Sequence, residues 1–135
     1  MTYLVDANVL SEATKPKPNP KVLEWLIANE SEIAIDPITL GEIRFGIDVL
    51  PRGKRRQSLE HWFDEGIARI NCLAFEADTA IRWAQLLAKL RSSGTSMPLK
   101  DSLIAATALL HELTVATRNI RHFKAAGVKV VDPFV

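Results

Sequence analysis

Cysteine is nearly absent from this chain, with Cys72 alone in 135 residues. One thiol can close no intrachain disulfide and build no cysteine-based zinc site, so neither cross-link is available to the fold. An excess of one charge is missing as well: 17 basic against 16 acidic residues leave a formal net charge of +1. Without a global field, any anionic ligand has to be held by local features. Long hydrophobic runs are lacking too. The longest mostly apolar stretch, Leu103 to Leu110, is too short to cross a bilayer, and Asp6 interrupts the only N-terminal stretch that could imitate a signal peptide. A cytoplasmic protein with no membrane partner is the expectation. Repeats, low-complexity tracts and linkers do not occur. The composition, 47% hydrophobic and 24% charged, lies far from that of disordered chains. One domain over residues 1–135 is expected, burying roughly two thirds of the surface its unfolded form exposes.

Short continuous apolar runs are present, and such runs read as buried parallel strands. They lie at Tyr3 to Val5, Ile33 to Ile35, Leu113 to Ala116 and Val128 to Val131, with a weaker one at Ile70 to Leu73. Helical patterns separate them. Asn19-Pro20 opens a helix carrying Val22, Leu23, Leu26 and Ile27, and Asp36-Pro37 opens one with Leu40, Ile43, Ile47 and Leu50 on one face. The second stops at Pro51 and Gly53. A mixed-charge helix is expected from Arg55 to Ile67, and another over residues 77–91 with Ala80, Trp83, Ala84, Leu87 and Leu90 at helical spacing. From Asp101 to Leu113 the pattern is apolar nearly all round, which predicts a buried helix. Strands alternating with helices imply a three-layer α/β/α domain around a central, mainly parallel sheet.

In open parallel sheets, ligands bind outside the carboxyl ends of the strands. Asp6 stands directly after the first strand, where it serves either as a helix cap or as a ligand. Glu42 shares its helix side with Ile38, Phe45, Gly46 and Val49. A carboxylate buried there needs a cation or a strong donor, and at the border of the stripe a neighbour such as Arg44 would serve. Asp101 opens the buried helix, a position that suits both a dipole-stabilised carboxylate and a metal ligand. Arg118, Asn119, Arg121 and His122 cluster after the strand that ends near Thr117. Three carboxylates brought together would repel one another without a counter-charge, and Mg²⁺ or Mn²⁺, which take oxygen ligands, supplies one. An aspartyl-phosphate phosphatase would usually want a second Asp two residues after Asp6, where this chain has Asn8.

Taken in order, Leu4-Val5-Asp6-Ala7-Asn8-Val9-Leu10-Ser11-Glu12, Ile38-Thr39-Leu40-Gly41-Glu42-Ile43-Arg44, Pro98-Leu99-Lys100-Asp101-Ser102-Leu103-Ile104-Ala105-Ala106 and Ala116-Thr117-Arg118-Asn119 resemble the PIN-domain ribonucleases. Within that family the set resembles the VapC toxins of toxin–antitoxin pairs, over nearly the whole chain. The resemblance implies a PIN-like fold and a metal-dependent endoribonuclease using Mg²⁺ or Mn²⁺, with Asp6, Glu42 and Asp101 on the first three acidic positions. It also implies an RNA substrate, transfer or other structured RNA among the candidates, a cognate antitoxin and a homodimer. Where the family often carries a fourth acid, this chain has His122, to which no role is assigned. Asn119 is taken as a site neighbour, and Thr117 and Ser11 as candidate hydrogen-bond partners of the carboxylates. The basic run Arg52, Lys54, Arg55, Arg56 offers Arg55 and Arg56 as candidate RNA contacts. The alternative is a catalytically degenerate PIN-fold binding module.

Overall fold

Alternation along three-residue strands decides how this molecule is layered. The computed structural model describes residues 1–135. Its strands are β1 (Tyr3–Val5), β2 (Ile33–Ile35), β3 (Asn71–Cys72), β4 (Thr114–Ala116) and β5 (Val130–Val131). They form one sheet in the order β3-β2-β1-β4-β5, and every pairing is parallel. Successive side chains on a strand point to opposite faces. Leu4, Ala34 and Val115 therefore enter one core, and Val5, Ile35 and Ala116 the other.

Seven helices cover the two faces: α1 (Ala7–Ser11), α2 (Pro20–Ala28), α3 (Pro37–Asp48), α4 (Lys54–Glu65), α5 (Ala77–Ser92), α6 (Leu99–His111) and α7 (Ile120–Lys124). Leu86 and Leu90 of α5, Ile104, Ala105 and Ala108 of α6, and Phe123 of α7 fill the core on the Leu4 side. Val9 and Leu10 of α1, Val22 of α2, and Ile43 and Ile47 of α3 fill the core on the Val5 side, with Leu59, Trp62 and Phe63 of α4 packed against them. The expected three-layer α/β/α arrangement is present, and the sheet is parallel throughout.

Boundaries differ from those the sequence predicts, for local reasons. The Asp101 helix begins two residues earlier, at Leu99 after Pro98, so Asp101 lies inside its first turn rather than opening it. The helix expected through Ile67 ends at Glu65. Gly66 caps it by donating its N–H to the Trp62 carbonyl, and a Cβ on Gly66 would come within 3.0 Å of that oxygen. On α5 the buried stripe runs through Thr79, Leu86 and Leu90, with Trp83 half-buried between them, while Ala84 is exposed. The face is rotated because the Trp83 indole N–H donates to Ser102 Oγ of α6 at 2.9 Å, and the larger side chains turn inward with it. Ile27, expected on the buried face of α2, is 76% exposed.

Both Pro-initiated helices start as the sequence suggests. Asn19 Oδ1 accepts from Lys21 N, and Asp36 Oδ1 accepts from Thr39 N, each with Pro at the first helical position. Asp36 is fully buried, and its second carboxylate oxygen has no hydrogen-bond partner. Burial pushes its carboxyl above the usual aspartate range, although Thr39 and nearby backbone N–H groups pull it back. The folded state thus binds the proton more tightly than the unfolded state. That contribution to stability is complete below the unfolded pKa and is lost as pH rises through the higher folded value. Asp36→Asn keeps an acceptor for Thr39 N and carries no charge. It is expected to unfold at a higher temperature than the wild type at neutral pH, with the difference shrinking as pH falls through the raised folded value and levelling off below about 4, which thermal melts across pH will measure.

Candidate active site

The strand order reverses at β1, where β2 lies on one side and β4 on the other, and the carboxyl ends of β1 and β4 open onto a crevice. Asp6 follows β1 directly and is 3% exposed. Its extended backbone makes it the cap of α1, and Oδ1 accepts from Ala7 N at 2.8 Å. Thr117, directly after β4, donates its hydroxyl to Asp6 Oδ2 at 2.8 Å, and Asn8 Nδ2 donates to the same oxygen at 3.2 Å. The main chain is locked as well, by Asp6 N–H to Ala116 O and Thr117 N–H to Val131 O. Burial pushes the Asp6 carboxyl above the ordinary range, and the charges of Asp101 and Glu42 push the same way. The hydrogen bonds from Thr117 and Ala7 oppose them.

Glu42 reaches the crevice from the second turn of α3. Its partner is Lys100 of α6, whose Nζ stands 2.5 Å from Glu42 Oε1. Arg44, the neighbour expected to pair with it, turns instead to Asp48 at 3.0 Å and Glu60 at 3.4 Å. Glu42 Oε2 is shielded from water and has no hydrogen-bond partner. The Glu42 hydrogen bond holds the Lys100 ammonium above the usual lysine range. Asp101, 3% exposed in the first turn of α6, places Oδ2 2.7 Å from His122 Nδ1 of α7. A carboxylate in that turn is favoured by the helix dipole.

A cleft of about 410 Å³ is lined by Asp6, Asn8, Ser11, Glu42, Lys100 and Asn119, among others. Asn119 gives its backbone N–H to Thr117 Oγ1 at 3.0 Å, so it neighbours the site through the main chain. Ser11 lines the cleft but bonds no carboxylate. The two arginines of the basic run differ. Arg55 bonds the carbonyl of Thr14, a residue of the cleft wall, whereas Arg56 is occupied by Leu50 O, Asp48 and Glu60.

Three partners are not evident from the sequence. Lys100 has a signal: a cation in the first turn of a helix is unfavourable unless an anion faces it. His122, assigned no role, pairs with Asp101. Asn8 also accepts from Arg118 N at 3.1 Å, tying α1 to the segment after β4. Its place two residues after a helix cap gives no hint of that reach.

The donor set suits a hard divalent cation. Asp6 is raised by burial and, to a smaller extent, by two neighbouring carboxylates, Glu42 retains a buried oxygen without a partner, and every carboxylate presents oxygen. No three acidic, His or Cys side chains stand tightly enough to cage an ion on their own. Such a site matches an ion that keeps several of its waters, as Mg²⁺ does.

An all-parallel α/β/α fold with an acidic crevice at its switch point is the class of protein that these elements define. The PIN domain family model matches residues 3–129, and the chain belongs to that family. It is similar to the plasmid stability protein StbB of Pseudomonas syringae pv. tomato, 38% identical over 135 residues and 97% of each chain. It is also similar to the VapC ribonuclease Y4jK of Sinorhizobium fredii, 35% identical over 97% of this chain and 96% of the relative. Among solved structures, FitAcB from Neisseria gonorrhoeae superposes with a TM-score of 0.92 at 34% identity, covering 98% of this chain and 99% of that one.

Thr117 is fully buried and supports Asp6, Asn8 and Asn119 together. Thr117→Val leaves a buried carboxylate oxygen short of a donor. Chemical denaturation is expected to show a loss of about 1–3 kcal/mol.

Proposed function

We propose that this chain is a metal-dependent endoribonuclease of the VapC toxin type, hydrolysing RNA phosphodiester bonds as one domain over residues 1–135. The observation that carries the reading is the convergence of Asp6, Glu42 and Asp101 from three distant segments, close enough that the charges of Asp101 and Glu42 both act on Asp6. Family membership and the similarity to the VapC ribonuclease Y4jK support RNA as the substrate class. The cofactor of this reading is Mg²⁺ or Mn²⁺, held by Asp6 and Asp101, directly or through water, with Glu42 completing the acidic site. The partners are a cognate antitoxin and a second copy of the chain. No helix is long and apolar enough to cross a membrane.

A divalent cation bound there supplies positive charge against the negative charge that develops on a phosphodiester under attack. Asp6 is held by Thr117 and Ala7 in one orientation, and His122 steadies Asp101 in the same way. Orientation of this kind lowers the reorganisation needed when the substrate arrives. Glu42 lines the cleft and is anchored through Oε1 to Lys100, which holds its carboxylate beside the place where the attacking water would give up a proton. The water oxygen bonds to phosphorus in line with the departing 3′ oxygen. The P–O3′ bond breaks, the 3′ oxygen takes up a proton, and the products carry a 5′-phosphate and a 3′-hydroxyl.

A second reading, a PIN-fold module that binds without turnover, is favoured only by the partners that Glu42 and Asp101 already have in Lys100 and His122. Metal binding separates the two. Purified protein is expected to bind Mn²⁺ and to cut a mixture of total and transfer RNA into discrete products that EDTA abolishes. Asp6→Asn, Glu42→Gln and Asp101→Asn should each lower the rate by at least about a hundredfold. A folded wild type with neither metal binding nor cleavage would favour the binding module.

A further inference from the structure

We propose that the shallow basin on α7, built from Arg118, Arg121, His122 and Lys124, binds the sugar–phosphate backbone of single-stranded RNA next to the bond that is cut. The proposal rests on the ribonuclease reading of the acidic cleft and adds how the strand is held. The basin measures about 550 Å³ and has Asp132 as its only carboxylate. Three permanent cations against one anion leave a local excess of two positive charges, in a chain whose whole net charge is +1.

Those cations are free. No carboxylate lies within ion-pair distance of Arg118, Arg121 or Lys124. Asp132, the acid of the basin, uses Oδ1 to accept from Phe134 N at 2.9 Å, and Glu12, whose charge Arg118 feels, is paired with Lys15 at 2.9 Å. Arg118 is held over the Phe134 ring, 4.5 Å from its centroid, which positions the guanidinium while its N–H groups keep no protein acceptor. The α4 run contrasts with this, because Arg56 is consumed by Asp48 and Glu60.

The basin adjoins the cleft. Asn119 lines both, and His122 lines the basin while its Nδ1 touches Asp101. A polyanion whose central phosphate is held at the carboxylates must carry its flanking phosphates over neighbouring surface, and here that surface is cationic. Phe134 is covered by Arg118 and the His122 ring is tethered to Asp101, so the basin offers mainly charge rather than a broad platform for stacking bases. It therefore grips backbone, independently of sequence.

The test is the salt dependence of binding to a fluorescent single-stranded oligoribonucleotide, comparing wild type with Arg121→Glu/Lys124→Glu. Both side chains are exposed, and the milder Arg121→Gln/Lys124→Gln serves as a second variant. The slope of log affinity against log salt is expected to flatten by about 0.7 for each phosphate no longer held, or about 1.4 for both. Affinity should fall equally for unrelated sequences, and hydrolysis of a small aryl phosphodiester should stay within about twofold of wild type, since the carboxylates are untouched. A wild-type slope in both variants overturns the basin alone. Wild-type protein with no salt-dependent affinity for RNA overturns the basin and the ribonuclease reading together. Loss of binding to polyglutamate with RNA binding intact would assign the surface to an acidic protein and overturn the proposal.

Discussion

Burial of carboxylates that also repel one another is the constraint around which this molecule is arranged. Asp6 and Asp101 are almost out of contact with solvent, and Asp6 feels the charges of both Asp101 and Glu42. A buried, unneutralised charge costs several kcal/mol. Each acid is therefore given an individual support: Thr117, Ala7 and Asn8 for Asp6, Lys100 for Glu42, and His122 for Asp101. These supports hold the acids without cancelling the site, since one oxygen of Glu42 is left without a partner. The remaining negative character is what a divalent cation would answer in the proposed chemistry.

The fold delivers these groups through short elements fixed at both ends. Three-residue strands would be weak alone, but β1 pairs on both sides, so Asp6 leaves the middle of the sheet. α6 is buried along most of its length and is tied to α5 by the bond between Trp83 and Ser102, which sets the position of Asp101. α7 is only five residues long, yet Phe123 anchors it completely in the core, so His122 at the preceding position is presented outward beside Asp101. A precise site is thereby placed on rigid elements although it sits at their ends.

Much of the arrangement is legible in the chain. The apolar runs at Tyr3 to Val5, Ile33 to Ile35 and Leu113 to Ala116 contain strands because buried parallel strands need apolar side chains on both faces. Asn19-Pro20 and Asp36-Pro37 start helices because capping is a local interaction, complete within four residues. Asp6, Glu42 and Asp101 can be singled out because each stands where a strand or a helix start meets the sheet edge. The buried face of α5 is displaced by one step from the periodicity, since alanine, tryptophan and leucine all count as apolar there, and only packing against α6 distinguishes them.

Hydrophobic period, caps and the order of motifs are properties of neighbouring residues, and they suffice for the α/β class, the element order and the choice of candidate acids. The partners of those acids come from the fold. Lys100 rather than Arg44 meets Glu42, His122 meets Asp101 across 21 positions, and Thr117 meets Asp6 across 111. The fold likewise gathers the free cations on α7 while Arg56 is spent on its own neighbours. Such pairings depend on distances across the molecule and on competition among charged groups, and neither quantity is written in the local pattern of the chain.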